Sequence, residues 1–492
     1  MFRRVQQDES RPKSYRAPRK PARPRRLCIA IITSVVMWSV VWYLFRSPVP
    51  SRDPGRFAQS AGSVCPAPEL QKDILVVLRT GATEALVKLP VHFQTILQCV
   101  DDYVIYSDME EVIDGHHVFD VLSQVNHTLL DDLPEFELYK QLRTDGRAGL
   151  EYQTIFGSGP SGAVDNPGWK LDKWKFLPMV DRALQYRPHA KWFVFVEADT
   201  YMVWQNMVEY LSKFDARQPY YLGKHMYISD TLFGHGGSGF MLSNPAARKV
   251  SDHWNEHREQ WDKFTREEWA GDMVLGKALK DVGVDMFWAF PHLQGDSLTA
   301  MDWNVSKIGR EPWCFAPITF HHMAVTEFNT LWRFEQEWHR LNPTRGPLRF
   351  RDIFKDLVRP QLQPKSGDWD NLSAGTEYSE GALERLSEQD RSQLSPAEQE
   401  ARLSLEKCQA ACESKPKCIQ FSYATGKCMT SDQLRLGHAV YPVGSTVGRG
   451  EAKAAPEPRN PIKSGWIASR VSSYVQQLDM SCDSGKAKIW VV

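Results

Sequence analysis

A chain of 492 residues is too long for one compact core and calls for two or more domains. Hydrophobic residues at 42% and aromatics at 11% are ample for a sizeable globular core. Sixty Lys and Arg balance sixty Asp and Glu, and no basic patch interleaved with aromatics occurs in the body of the chain, which argues against nucleic acid as a partner.

The charge is unevenly placed. Residues 1–26 carry ten Arg or Lys against two acids. The next segment, LCIAIITSVVMWSVVWYLF over 27–45, is uncharged and apolar apart from Thr33, Ser34 and Ser39. Its length as a helix is roughly 28 Å, close to a bilayer core. The h-region of a cleaved signal peptide is shorter and ends at a small-residue cleavage site, and neither is evident here. The basic flank stays cytosolic by the positive-inside rule, so the expectation is a signal anchor with a short basic tail inside and everything after it luminal. Of the nine cysteines, Cys28 sits at the anchor edge and eight lie beyond it, an even number in an oxidising compartment. Asn126, Asn304 and Asn371 open glycosylation sequons.

Residues 46–68, rich in Pro, Ser and Gly, read as a stem. DILVVLRTG (73–81) and DYVIYSD (102–108) read as buried strands ending in polar turns, and WKLDKWKFLPMVDRALQYRP (169–188) as a helix that stops before Pro188. KWFVFV is the next strand, followed directly by Glu197-Ala198-Asp199. GGSGFMLSNPAARKVSDHW gives a Gly-rich turn, a strand and a helix; TREEWAGDMVLGKALKDVG (265–283) reads as one helix with a capping box from Thr265 to Glu268. Strands alternating with helices predict an α/β domain with a largely parallel sheet, whose ligands gather at the carboxyl ends of the strands. The organisation expected is a domain over 69–345, a linker over 346–400, a small four-cysteine unit over 401–450, and a C-terminal segment over 451–492 with one late helix.

Glu197 and Asp199 stand at one of those strand ends. The plain reading is an acidic turn. The chemical one is a site for a hard cation such as Mn²⁺ or Mg²⁺, which prefers carboxylates and takes its remaining ligands from diphosphate and water. Gly236-Gly237-Ser238-Gly239 lacks the spacing of a P-loop or a dinucleotide fingerprint, so as residues alone it is either a turn or a bare backbone that a ligand can approach. Trp254, Trp261, Trp269, Trp288, Trp303 and Trp313 are dense for such a short segment; most belong to a core, with one or two expected at a sugar site.

In order along the chain, VFVEADTYMVWQNMVEYLSKFDARQPYYLGK, HGGSGFMLSNPA, AGDMVLGKAL, GDS and TFHH resemble the Fringe and core 1 β-1,3-galactosyltransferase family. That resemblance implies a Rossmann-like GT-A domain in a single-pass type II Golgi enzyme with a luminal catalytic domain. It also implies an inverting transfer from a UDP-sugar, galactose or N-acetylglucosamine in β-1,3 linkage, to a glycan or glycoprotein. Asp199 would be the direct metal ligand, with Glu197 (metal or substrate) and His321 beside it and His322 as its neighbour. Ala198 departs from the family's acidic middle position. Asp272 would be the catalytic base; the alternative is an ordinary helix N-terminal acid, which the long helix from Thr265 disfavours. Thr80, Lys173, Gly236, Gly237 and Ser238 would contact the substrate.

EKCQAACESKPKCIQFSYATGKC resembles a disulfide-rich α+β PAN/apple module, and by that resemblance Cys408 pairs with Cys428 and Cys412 with Cys418. Such a module holds an acceptor or caps the catalytic domain. Two rival functions come from other classes: a membrane-anchored carbohydrate-binding protein on a catalytically retired transferase fold, and a luminal hydrolase of nucleotide-sugars.

Overall fold

Parallel strands buried on both faces require unbroken apolar runs, and ILVVLR and WFVFVE are such runs. In a computed structural model, which describes residues 65, 68–150, 167–440, 461–483 and 488–492, these runs are the two central strands of an eight-stranded sheet. Residues 1–45, the expected tail and anchor, lie outside the described residues. Among the described residues no helix is long and apolar enough to cross a membrane.

The strands of this α/β region are β1 (Ile74–Arg79), β2 (Tyr103–Ser107), β3 (Glu111–Ile113), β4 (His116–Asp120), β5 (Trp192–Glu197), β6 (Tyr201–Met202), β7 (Tyr221–Gly223), β8 (His225–Ile228), β9 (Thr231–Gly234), β10 (Phe240–Ser243), β11 (Met286–Trp288) and β12 (Thr319–Phe320). The large sheet has the order β11-β7-β10-β5-β1-β2-β4-β3. β1 runs parallel to β2 and β5, whereas β10 is antiparallel to β5 and β7. The sheet is therefore mixed, and the turn that enters β10 lies at the same edge as the turns that leave β1, β2 and β5. Apolar cores cover both sheet faces, one around Val76, Val194 and Met241 and the other around Val77, Phe193 and Leu242.

Two helix boundaries differ from the sequence reading. The stretch 169–188 is broken into Pro167–Asp172 and Phe176–Tyr186. The stretch 265–283 is also two helices, because Arg258–Glu267 ends at an extended Glu268 and a new helix runs over Gly271–Asp281. No capping box forms at Thr265, whose hydroxyl donates to Trp261 O inside the first helix at 2.7 Å.

The expected linker is structured. β13 (Ser366–Gly367), β14 (Trp369–Asp370) and β15 (Thr376–Ser379) come from it, and β13 and β15 join a five-stranded sheet with β16 (Gln420–Ala424), β17 (Lys427–Ser431) and β19 (Lys463–Trp466) in the order β13-β19-β16-β17-β15. A short pair of β14 with β18 (His438–Ala439) lies beside it. The four-cysteine stretch supplies two of the five strands, and the other three come from segments outside 401–450. Its disulfides are Cys408–Cys428 and Cys412–Cys418, with Cys65–Cys99 and Cys314–Cys482 elsewhere. Asn371 is wholly buried and its amide donates to Phe421 O and Gly465 O, which leaves that sequon out of reach of a glycan.

Candidate active site

The register of β1 and β5 places Arg79 opposite Glu197 at the carboxyl edge of the sheet. Beyond that point the chain turns, with Ala198 N donating to Arg79 O at 3.0 Å and Thr200 N to Glu197 O at 2.9 Å. Side chains alternate through the turn. Glu197 and Asp199 line a cleft of about 450 Å³, whereas Ala198 is 1% exposed and packs in the apolar core. The imidazole Nε2 of His92 pins the turn from behind, 2.8 Å from Ala198 O. An acid at position 198 would point into that core, so its absence takes nothing from the cleft. The missing middle acid is therefore no sign of a retired fold.

A two-stranded ladder brings in the histidines. β12 pairs antiparallel with β6, Phe320 opposite Tyr201, and Met323 N donates to Asp199 O at 2.9 Å. His321 and His322 therefore stand beside Asp199 although more than a hundred residues separate them in sequence. His321 Nε2 is 3.3 Å from Asp199 Oδ1 and 3.5 Å from Glu197 Oε2; His322 Nδ1 is 3.7 Å from Asp199 Oδ2. His322 holds a left-handed backbone at φ 55°, uncommon for a residue with a side chain. Ligand atoms of Asp199, His321 and His322 lie within 4.8 Å of one another.

The donor set suits a divalent cation. Asp199 Oδ1 and both ring nitrogens of His321 are buried and make no hydrogen bond, an arrangement that a protein rarely tolerates without a function for those atoms. Five carboxylates (Glu84, Asp108, Asp172, Glu197, Asp199) face three cations (Arg79, Lys88, Lys175) in two ion-pair groups that His321 bridges, which leaves two negative charges before the histidines are counted. Burial opposes the charge on Asp199 and Glu197, but His321 and the nearby cations prevail. Asp199 stays well below the usual carboxylate range, and Glu197, against the Arg79 guanidinium, falls to about 2. Burial likewise opposes protonation of His321, yet Asp199 and Glu197 raise it to about 9.

Of the expected ligands Glu197, Asp199 and His321, the close group contains Asp199 and His321. Glu197 is held by Arg79, which also binds Asp172 and lies over the Phe176 ring at 4.2 Å, and it stands outside the close group. His322 completes the close group. Lys88 donates to Asp199 Oδ2 at 3.0 Å and to Glu84 at 2.7 Å.

Asp272 lines the same cleft. It lies in the first turn of the helix Gly271–Asp281, not two turns in, because the chain breaks at Glu268. Its Oδ2 accepts from Gly236 N at 2.8 Å and its Oδ1 from Met273 N at 2.9 Å. Burial raises its pKa to about 6, against the lowering effect of Gly236 N and Arg79. A helix N-terminus alone would lower a carboxylate's pKa; burial outweighs that effect at Asp272.

The remaining expected residues divide. Thr80 borders the cleft, with its carbonyl held by Lys175 Nζ at 2.9 Å. Lys173 also borders it, but its ammonium is spent on Arg266 O, Glu268 O and Glu135, which fixes the segment ahead of Asp272. Gly236 serves through its N–H. Gly237 is required by the His321 ring: a Cβ there would meet its Cε1 at 2.1 Å. Ser238 is wholly buried, 2.8 Å from His235 Nδ1, and does not border the cleft. Sequence reasoning missed Arg79, Lys88, Asp172 and Lys175. Single charged residues on separate segments carry no local signal; only Arg79, at the end of an apolar strand, could have been found.

Buried acid, imidazole and carboxylate groups converging on one sheet edge define an enzyme of the α/β class. Residues 173–293 match the family model described as Fringe-like, a family of glycosyltransferases, and the chain is a glycosyltransferase carrying that Fringe-like domain. The match takes in Glu197, Asp199, the glycine turn and Asp272, while Thr80 and the two histidines lie outside it.

Proposed function

We propose that the protein is an inverting, metal-dependent transferase that moves galactose or N-acetylglucosamine, in a β-1,3-type linkage, from a UDP-sugar to a hydroxyl of a glycan or glycoprotein. The observation that carries this reading is the placement of Asp272, a carboxylate tuned near neutrality, in the same cleft as Asp199, His321 and His322. The Asp272 carboxylate accepts the proton of the acceptor hydroxyl as that oxygen bonds to the anomeric carbon. The bond from this carbon to the diphosphate oxygen breaks, and its electron pair leaves with UDP. One base on the face opposite the leaving group is all that inversion needs. Asp199, His321 and His322 would hold Mn²⁺ or Mg²⁺, which supplies neutralisation of the diphosphate charge. Lys88, beside Asp199, is placed to meet a phosphate oxygen. Thr80, at the exit of β1, borders the nucleoside end.

The GT-A type Rossmann-like arrangement is supported by the parallel strands meeting at the acidic edge. The C-terminal sheet with its two disulfides is read as a PAN/apple-like module, and the apolar segment 27–45 as a Golgi signal anchor with the enzyme in the lumen. The test incubates the full-length chain, in detergent, with UDP-galactose or UDP-N-acetylglucosamine, Mn²⁺ and a panel of glycosides. Mass spectrometry is expected to find a glycoside longer by one hexose or N-acetylhexosamine, with the opposite anomeric configuration by NMR. Binding without product would support the retired fold; UDP release that no glycoside accelerates would support the hydrolase.

A further inference from the structure

The chemistry above leaves the apolar rim of the cleft unused. Trp269 is 59% exposed and Tyr227 55%, whereas Trp254, Trp261, Trp303 and Trp313 are all buried. Water contact on an indole this large is unfavourable unless a ligand covers it. Trp269 stands in the extended break between two helices, three residues before Asp272. Its ring stacks beside that of Trp169, with centroids 6.1 Å apart and planes inclined by 25°. The pair is held firmly. The Lys173 ammonium donates to Glu268 O at 3.0 Å and to Arg266 O at 3.2 Å, tying the two segments together. Gly271 seats the break on the neighbouring helix so closely that a Cβ would meet Phe176 at 2.4 Å and Lys173 Cα at 2.6 Å. Met226 and Tyr227, on the hairpin of β8 and β9, border the same cleft.

Two ligands with a face to stack could use an indole here, the nucleobase of the donor or a sugar ring of the acceptor. The sheet order separates them. Thr80 and Asp108 leave β1 and β2, whereas Asp272 binds the turn that enters β10, on the far side of β5. With the nucleoside at the first end, as the transferase reading has it, the acceptor hydroxyl gives up its proton at the other, beside Asp272. A pyranose carries its C–H groups on one face and its hydroxyls around the edge, so stacking on an indole leaves an edge hydroxyl free to reach the carboxylate.

We propose that Trp269, backed by Trp169 and bordered by Tyr227, is the acceptor subsite, which takes the apolar face of a pyranoside and presents one of its hydroxyls to Asp272. The assignment rests on the transferase reading. Saturation-transfer NMR on the full-length chain in detergent, with methyl α- and β-pyranosides of galactose, glucose, mannose and the two N-acetylhexosamines, tests binding without turnover. At least one glycoside is expected to receive saturation on the C–H protons of one ring face. Trp269→Ala should weaken it about tenfold and Trp269→Phe about threefold, the scale of one aromatic contact, with UDP affinity and thermal unfolding unchanged. No binding to wild type, equal binding to Trp269→Ala, or a loss of UDP affinity in that variant would overturn the subsite. Binding that follows Trp269 in a protein without turnover would overturn only the transferase reading; turnover with an unchanged acceptor KM in Trp269→Ala would overturn only the subsite.

Discussion

Asp272 shows how a single residue changes meaning with its surroundings. In sequence it is one acid in an apparently continuous helix, and the pattern TREEWAGDM gives no sign that the helix breaks at Glu268. Burial, opposed by Gly236 N and the Arg79 guanidinium, puts its pKa at about 6. A base must be ionised to accept a proton. The expected pH profile of kcat/KM therefore rises with pH through about 6 and levels above it, as protonated Asp272 gives way to carboxylate. Asp272→Asn should lower kcat by roughly 10²–10⁴-fold, the usual contribution of a general base, and leave the KM for the UDP-sugar nearly unchanged; steady-state kinetics on both substrates checks this. Gly237 is the second decisive residue. Gly237→Ala puts a methyl group against the His321 ring, so Mn²⁺ affinity measured by electron paramagnetic resonance should fall at least tenfold.

At the scale of elements, the strands were the most legible part. The runs ILVVLR and WFVFVE are apolar because both faces are covered, and the acids at the end of the second are placed by β1–β5 pairing. The β6–β12 ladder was not legible, since two residues on each side carry no pattern. His321 and His322 could be connected with Asp199 only through family resemblance, and that both stand beside it needed coordinates. Beneath this ladder Tyr201 OH donates to Glu335 at 2.5 Å, and burial raises the Glu335 pKa to about 7. An acid with a raised folded pKa holds a proton that the unfolded chain releases near 4.5. Between those values the folded state binds more protons, so the stability it contributes is present at low pH and is lost as pH rises towards 7. Glu335→Gln keeps an acceptor for Tyr201 and removes the titration. Its melting temperature is expected to decline less than that of wild type between pH 5 and pH 8, as read by calorimetry.

For the whole molecule, the C-terminal third is built into the α/β region rather than strung from it. Cysteine spacing pointed to a compact unit, and its two disulfides formed as the resemblance implied, but the spacing could not reveal that β13, β15 and β19 arrive from outside. Strand pairing between distant segments leaves no local trace. Cys314–Cys482 fastens the helix Ala468–Asp483 to the α/β region, where Trp313 Nε1 also donates to Asp479 Oδ1 at 3.1 Å and Tyr474 OH to Trp303 O at 3.2 Å. Near the chain end, Val491 N donates to His292 Nε2 at 2.9 Å. Replacing both Cys314 and Cys482 with Ala should cost about 2–5 kcal/mol in denaturant unfolding. Ending the chain at residue 440 removes β19 from the middle of its sheet and should yield no folded protein.

The central claim is that Asp199, with the histidines beside it, holds the cation that makes sugar transfer possible in this cleft. The most direct measurement is acceptor-stimulated UDP release by wild type and Asp199→Ala, each with Mn²⁺ and after chelation. Release by wild type that stops on chelation and returns with Mn²⁺, and a variant at least a hundredfold slower than wild type when Mn²⁺ is present, is the result predicted, on the scale of losing metal-supplied charge stabilisation. Equal rates for the two proteins, or wild-type release indifferent to chelation, would contradict it.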